Sequence, residues 1–94
     1  MDNFNFETLA DLFKVFGDST RLRLLKCIDS CEKSVGEIAA ELGMTDSAIS
    51  HQLSLLRRSK LIKSSRKGRR IFYSLSDEHV HAILACGIEH IEEA

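Results

Sequence analysis

Asp77, His79, His90 and Glu93 lie in the closing stretch of the chain, DEHVHAILACGIEHIEE. Carboxylates and imidazoles are the side chains that hold divalent metals. This stretch gathers three of the four histidines and five of the fourteen acidic residues. On a helix, His79 and His90 share a face because their 11-residue separation is close to three turns. They also stand about 16 Å apart along the axis, so one ion cannot bridge them within one copy. Glu93, three residues on from His90, can converge with it, and Asp77 can fold back toward His79 while also capping the helix. Each end therefore offers half a site. Two copies packed antiparallel about a two-fold axis bring unlike halves together and make two equivalent four-ligand sites. Ile83, Leu84 and Ile88 between them are the expected helix–helix seam. Two imidazoles with two carboxylates suit tetrahedral Zn²⁺; Co²⁺ is a good mimic, and Ni²⁺ prefers more ligands. His81 lies about 200° round the wheel from His79 and is left out of the site. Glu78, Glu89 and Glu92 are read as solvating charge.

Several elements must position this helix. Leu9, Leu12, Phe13 and Phe16 recur at helical spacing, so residues 6–16 read as an amphipathic helix ended by Gly17. Asp18 or Ser19 caps a second helix through about Ser30, with Leu24, Leu25, Ile28 and Cys31 as its apolar face and Cys27 on the border. A third helix starts at Ser34, with Glu37 as capping-box partner, and stops at Gly43. Thr45 caps a fourth, running to about Ser59. The period then changes to two: LIKSS and IFYSL read as strands joined by RKGRR, with Gly68 in the turn. A last helix begins near Ser76 or Asp77. The expected fold is mainly α with a two-stranded β-wing, in the order α-α-α-α-β-β-α. It is a winged helix-turn-helix, expected to pair as a homodimer through its first and last helices.

Only Gly43-Met44-Thr45 separates the third and fourth helices, the spacing of a helix-turn-helix whose second helix enters a major groove. On the wheel of the fourth helix Ile49, Leu53 and Leu56 form the buried stripe. Ser47, Ser50, His51, Ser54 and Arg58 fall opposite, and Gln52 sits on the shoulder, where it can pair with adenine. Short hydroxyls let the backbone approach DNA closely. Arg66, Lys67, Arg69 and Arg70 mark the wing tip, placed for phosphates or a minor groove. The net charge of −1 hides this segregation: between Asp46 and Asp77 there is no acid, yet eight of the thirteen cations are there. Such a block points to a polyanion, nucleic acid first.

SVGEIAAELGMTDSAISHQLSLLRRSKLI followed by RKGRRIFYSL resembles the ArsR/SmtB family of bacterial metal-sensing repressors, over nearly the whole chain. The run from Asp46 to Leu53 matches the family's S-x-x-x-S-H-Q-L pattern, with Asp46 in the first serine place. The resemblance implies a dimeric winged helix that represses transcription on an operator and releases it when an effector binds. The family's D-x-H-x₁₀-H-x₂-E/H pattern is filled by Asp77, His79, His90 and Glu93, which implies zinc-type sensing. The family's thiolate motif at the start of the third helix is absent; Ser34-Val35-Gly36 stands there, so sensing of arsenite, cadmium or lead through thiolates is not expected.

The chain of 94 residues is read as one domain, residues 1–94. Its longest apolar run, AILACGI, falls far short of the roughly 18 residues of a membrane span, and MDNFNFE does not read as a signal peptide. With no export signal, the three cysteines are read as reduced thiols in a cytoplasm. An alternative effector is an oxidant or persulfide acting on Cys27, Cys31 and Cys86 in the same fold. No nucleophile motif or pocket signature suggests an enzyme.

Overall fold

Each helix begins where a short polar side chain satisfies the free amides of its first turn. The computed structural model describes residues 3–93. Helix α1 (Phe6–Phe16) follows Asn5, whose Oδ1 accepts from the amides of Glu7 and Thr8 at 3.1 and 3.2 Å. Asp18 accepts from the Arg21 amide at the head of α2 (Ser19–Cys27). Strand β1 (Lys33–Ser34) leads directly into α3 (Val35–Leu42), where Ser34 and Glu37 form the expected capping box. Gly43 ends α3 at φ 66°, a left-handed position suited to glycine. Thr45 caps α4 (Asp46–Arg58) and Asp77 caps α5 (Glu78–Glu92). Between α4 and α5 lie β2 (Ile62–Lys67) and β3 (Arg70–Leu75).

The sheet is antiparallel, in the order β1-β3-β2, so the wing has a third strand beyond the two expected. Lys33 pairs with Tyr73 and Ser34 with Phe72. Two residues are too few to show a period of two, so only the tertiary partner reveals the strand. The same pairing corrects the second helix. It ends at Cys27, not near Ser30, because the chain must turn over residues 28–32 to reach β3 in extended form. Cys31 is thereby carried out of the helix and is exposed, whereas Cys27 is buried. The wing turn is also tighter than RKGRR suggests. Lys67 pairs with Arg70 as the last rung of the ladder, leaving Gly68 (φ 64°) and Arg69 as the turn.

The core is filled by Phe16, Leu24, Leu25, Ile28, Ile38, Ile49, Leu53, Leu56, Leu61, Ile62, Val80 and Leu84, with Cys27 and Ala39. The predicted stripe of α4 is all inside. Two other stripes are only partly inside. On α1 only Phe16 is buried, and Phe13 stays 53 % exposed. On α5 Leu84 does not belong to an outward seam; with Val80 it packs into its own core, while Ile88 is exposed. Amphipathic spacing marks which residues share a face but not whether that face meets this chain or another surface. No helix among the described residues is long and apolar enough to cross a membrane.

Candidate DNA interface and metal-ligand helix

With Ile49, Leu53 and Leu56 locked inward, α4 turns Ser47, Ser50, His51, Ser54 and Arg58 outward, and all five are exposed. The structure brings these together as one polar face. Gln52 is half-buried, and its Oε1 accepts a hydrogen bond from Arg21 Nε at 3.4 Å. Its amide is thus engaged within the protein, which the wheel alone does not show.

The wing cations divide into two pairs. Lys67 forms an ion pair with Glu32 and lies over the Phe72 ring at 5.6 Å. Arg70 donates to Ser34 Oγ at 2.9 Å, approaches Glu37 at 3.7 Å and also faces Phe72. Hydrogen bonds from the Ser34 amide and then its hydroxyl hold the Glu37 carboxyl below the usual range. Glu32 and Glu37 reach these cations because β1 lies alongside β3. Arg66 Nε donates only to the Gly68 carbonyl, and Arg69 stands in the exposed turn. Arg66 and Arg69 are therefore the wing cations without an acidic neighbour among the described residues.

On α5 the ligand-type residues fall at the two ends, as their spacing requires. Asp77 Oδ1 accepts from the amides of His79 (2.9 Å) and Val80 (3.4 Å) and lies 3.3 Å from His79 Nδ1. All three approaches engage one oxygen, so the cap and a ligand role fall to different atoms. The His79 side chain is 91 % exposed, and His90 and Glu93 are exposed at the far end. No three His, Cys, Asp or Glu side chains converge on one point among the described residues. The donor chemistry suits zinc, but one copy presents only pairs.

His81 is not idle surface. Its Nδ1 donates to both oxygens of Asp29, at 2.8 and 3.0 Å. Asp29 is 52 positions away, and nothing in local spacing forecasts the pair. Cys27, the buried thiol, donates to Glu41, and Lys33 Nζ lies 3.7 Å from its sulfur. Burial first, and then Glu41, push this thiol up to about 11. A protonated thiol is a poor nucleophile, so Cys27 is ill suited to the thiol-sensing alternative. Between α1, the start of α2 and α5 runs an apolar groove lined by Phe13, Leu22, Ile83, Cys86, Ile88 and Ile91. Phe13, Leu22, Ile88 and Ile91 are exposed there, Ile91 by 74 %.

A helix-turn-helix of α3 and α4, flanked by a basic wing, defines the winged helix-turn-helix class. The bacterial regulatory protein model of the arsR family matches residues 18–64, and the chain belongs to that family. It is 36 % identical over 88 residues to the transcriptional repressor SmtB homolog of Synechocystis, covering 94 % of this chain and 67 % of that repressor. In three dimensions it matches the homodimeric winged helix-turn-helix DNA-binding domain of a possible ArsR-family regulator from Mycobacterium bovis. The TM-score there is 0.86 at 26 % identity, over 94 % of this chain and 82 % of that one. The crystal structure of the AntR antimony-specific transcriptional repressor matches with a TM-score of 0.79 at 37 % identity, covering 90 % and 78 %.

Proposed function

We propose that this chain is a metal-responsive transcriptional repressor whose metal-free homodimer holds operator DNA and whose zinc-bound form holds it less tightly. The observation that carries the reading is the placement of two ligand pairs, Asp77/His79 and His90/Glu93, at opposite ends of one helix with an exposed apolar face between them. A second copy seated on the α1/α5 groove covers that face and supplies the missing pair at each end. Family membership, and relatives named as repressors, support the regulatory part.

When bound, zinc supplies a tetrahedral centre that ties four donors. The chain's own residues do the rest. Asp77 keeps its cap on Oδ1, which leaves Oδ2 as the oxygen that would ligate. His79 and His90 must be neutral to ligate, so zinc affinity falls on acidification. On DNA, Ser47, Ser50, His51, Ser54 and Arg58 face the major groove. Arg66 and Arg69 reach phosphates, with Lys67 and Arg70 on the same surface. Gln52 lies at the edge of this set.

The test is complementation by mixed dimers. His79→Ala and His90→Ala each break both shared sites in their own homodimers, yet a heterodimer of the two keeps one site whole. Each homodimer should bind operator and ignore zinc, and the mixture should regain a zinc response. A zinc response retained by the His79→Ala homodimer, or none in the mixture, rules out the shared site.

A further inference from the structure

Helix α2 has nine residues and a polar tie at each end. Just past its C-terminus, Asp29 receives His81 Nδ1 at 2.8 and 3.0 Å. The Asp29 side chain is only 9 % exposed, and Lys26 Nζ lies 3.7 Å from it. Near its N-terminus, half-buried Arg21 donates from Nε to Gln52 Oε1 on α4, and from Nη1 to the carbonyls of Lys14 and Val15 at the end of α1, each at 3.4 Å. Between these ties Leu24 and Leu25 have no exposure at all. A helix so tightly packed shifts as a unit, since close-packed cores do not shear freely.

The two ties face opposite partners. His81 stands two residues from His79 and about 200° round α5, where its half-exposed ring reaches Asp29, so ligand and tie sit on opposite faces of one turn. Gln52 stands on the shoulder of the recognition helix, next to His51. A rotation of α5 that draws His79 outward pulls on Asp29, tilts α2, and acts on Gln52 through Arg21. Arg21 also grips the last turn of α1, one wall of the apolar groove, so movement of that wall acts on the same guanidinium.

We propose that His81 and Arg21 are positioning residues that couple the sensor helix to the recognition helix through α2, with Gln52 as the receiving side chain. This rests on the zinc-responsive reading above. Contiguity alone does not establish coupling; a change in the linkage between two ligands does.

The experiment compares full-length wild type, His81→Ala, Arg21→Leu and the double variant. Three quantities are read: operator affinity with and without Zn²⁺, zinc affinity against a competing chelator, and the Gln52 side-chain amide resonance in the free protein. The wild type should lose roughly 5–150-fold in operator affinity on zinc loading, the usual span of such couplings. Each single variant should bind zinc as wild type does while that ratio falls toward one. The double variant should fall no further, because both residues lie on one route. Zinc should shift the Gln52 resonance in wild type and leave it unmoved in His81→Ala. Should Arg21→Leu not fold, Arg21→Lys replaces it, since one ammonium lacks the guanidinium's spread to hold both Gln52 and the α1 carbonyls. A single variant that keeps the wild-type ratio overturns the route and leaves the zinc reading standing. A wild type indifferent to zinc overturns both.

Discussion

Cys27 donates its thiol proton to Glu41, whose carboxyl is held below the usual range by that bond and then by Lys33. The folded protein therefore favours the neutral thiol, raised from 9.0 to about 11. The sign follows directly. A raised thiol contributes stability that is intact below about pH 9 and is lost as pH climbs toward about 11. The melting temperature of wild type should fall more steeply across that window than that of Cys27→Ser. Alkylation should show the same difference in environment. At neutral pH, iodoacetamide followed by mass spectrometry should label Cys31, exposed outside the groove, before Cys27. Cys27 labelled as fast as Cys31 would mean that the thiol is open to solvent. At the scale of single residues, the sequence separates these three cysteines poorly. The environments of Cys27 and Cys31 depend on where α2 stops, and that depends on a strand pairing far along the chain.

At the scale of elements, the wing is the instructive case. Its basic composition reads as four equivalent DNA-binding cations, yet Lys67 and Arg70 are partly neutralised by Glu32 and Glu37. These acids lie outside the acid-free block in sequence and beside it in space. Each phosphate that a protein cation neutralises adds about 0.9 to the slope of log affinity against log salt. Arg69→Ala, which takes one such cation from each subunit, should reduce that slope by about 0.9 per subunit bound, and Lys67→Ala by less. Glu32→Gln should release Lys67, tighten operator binding and steepen the slope; fluorescence anisotropy across a salt series reads all three. Equal slopes for Arg69→Ala and Lys67→Ala would mean that the Glu32 pair opens on DNA. Helix starts were legible because Asp18, Ser34, Thr45 and Asp77 are chemically suited to cap, and the α4 stripe because its period is strong. Strand β1, the Asp29–His81 pair and the Arg21–Gln52 pair were not. Each joins residues 31 or more positions apart, and no local pattern records that separation.

For the whole molecule, the decisive feature is a face that no other described residue of its own chain covers. Phe13, Leu22, Ile88 and Ile91 stay exposed around one groove; the sequence places Phe13 on the apolar stripe of α1 and Ile88 in the expected helix–helix seam. A contiguous apolar patch marks an interaction surface. Here the same helix carries a pair of ligand-type side chains at each end, Asp77/His79 and His90/Glu93, so the occupant proposed is a second copy. The two expected roles of α5, pairing and sensing, then stand or fall separately. Ile91→Glu places a charge where the second copy should seat, at a position 74 % exposed in one chain, so the subunit's own core is untouched. Sedimentation should show monomers. Operator affinity should drop because one recognition helix replaces two, and the strong tetrahedral cobalt absorption should be lost because each copy retains only half of each site. His79→Ala, in contrast, should sediment as a dimer, keep the operator and lose only the metal response. An Ile91→Glu protein that remains dimeric with its cobalt spectrum intact would place the subunit interface on another surface.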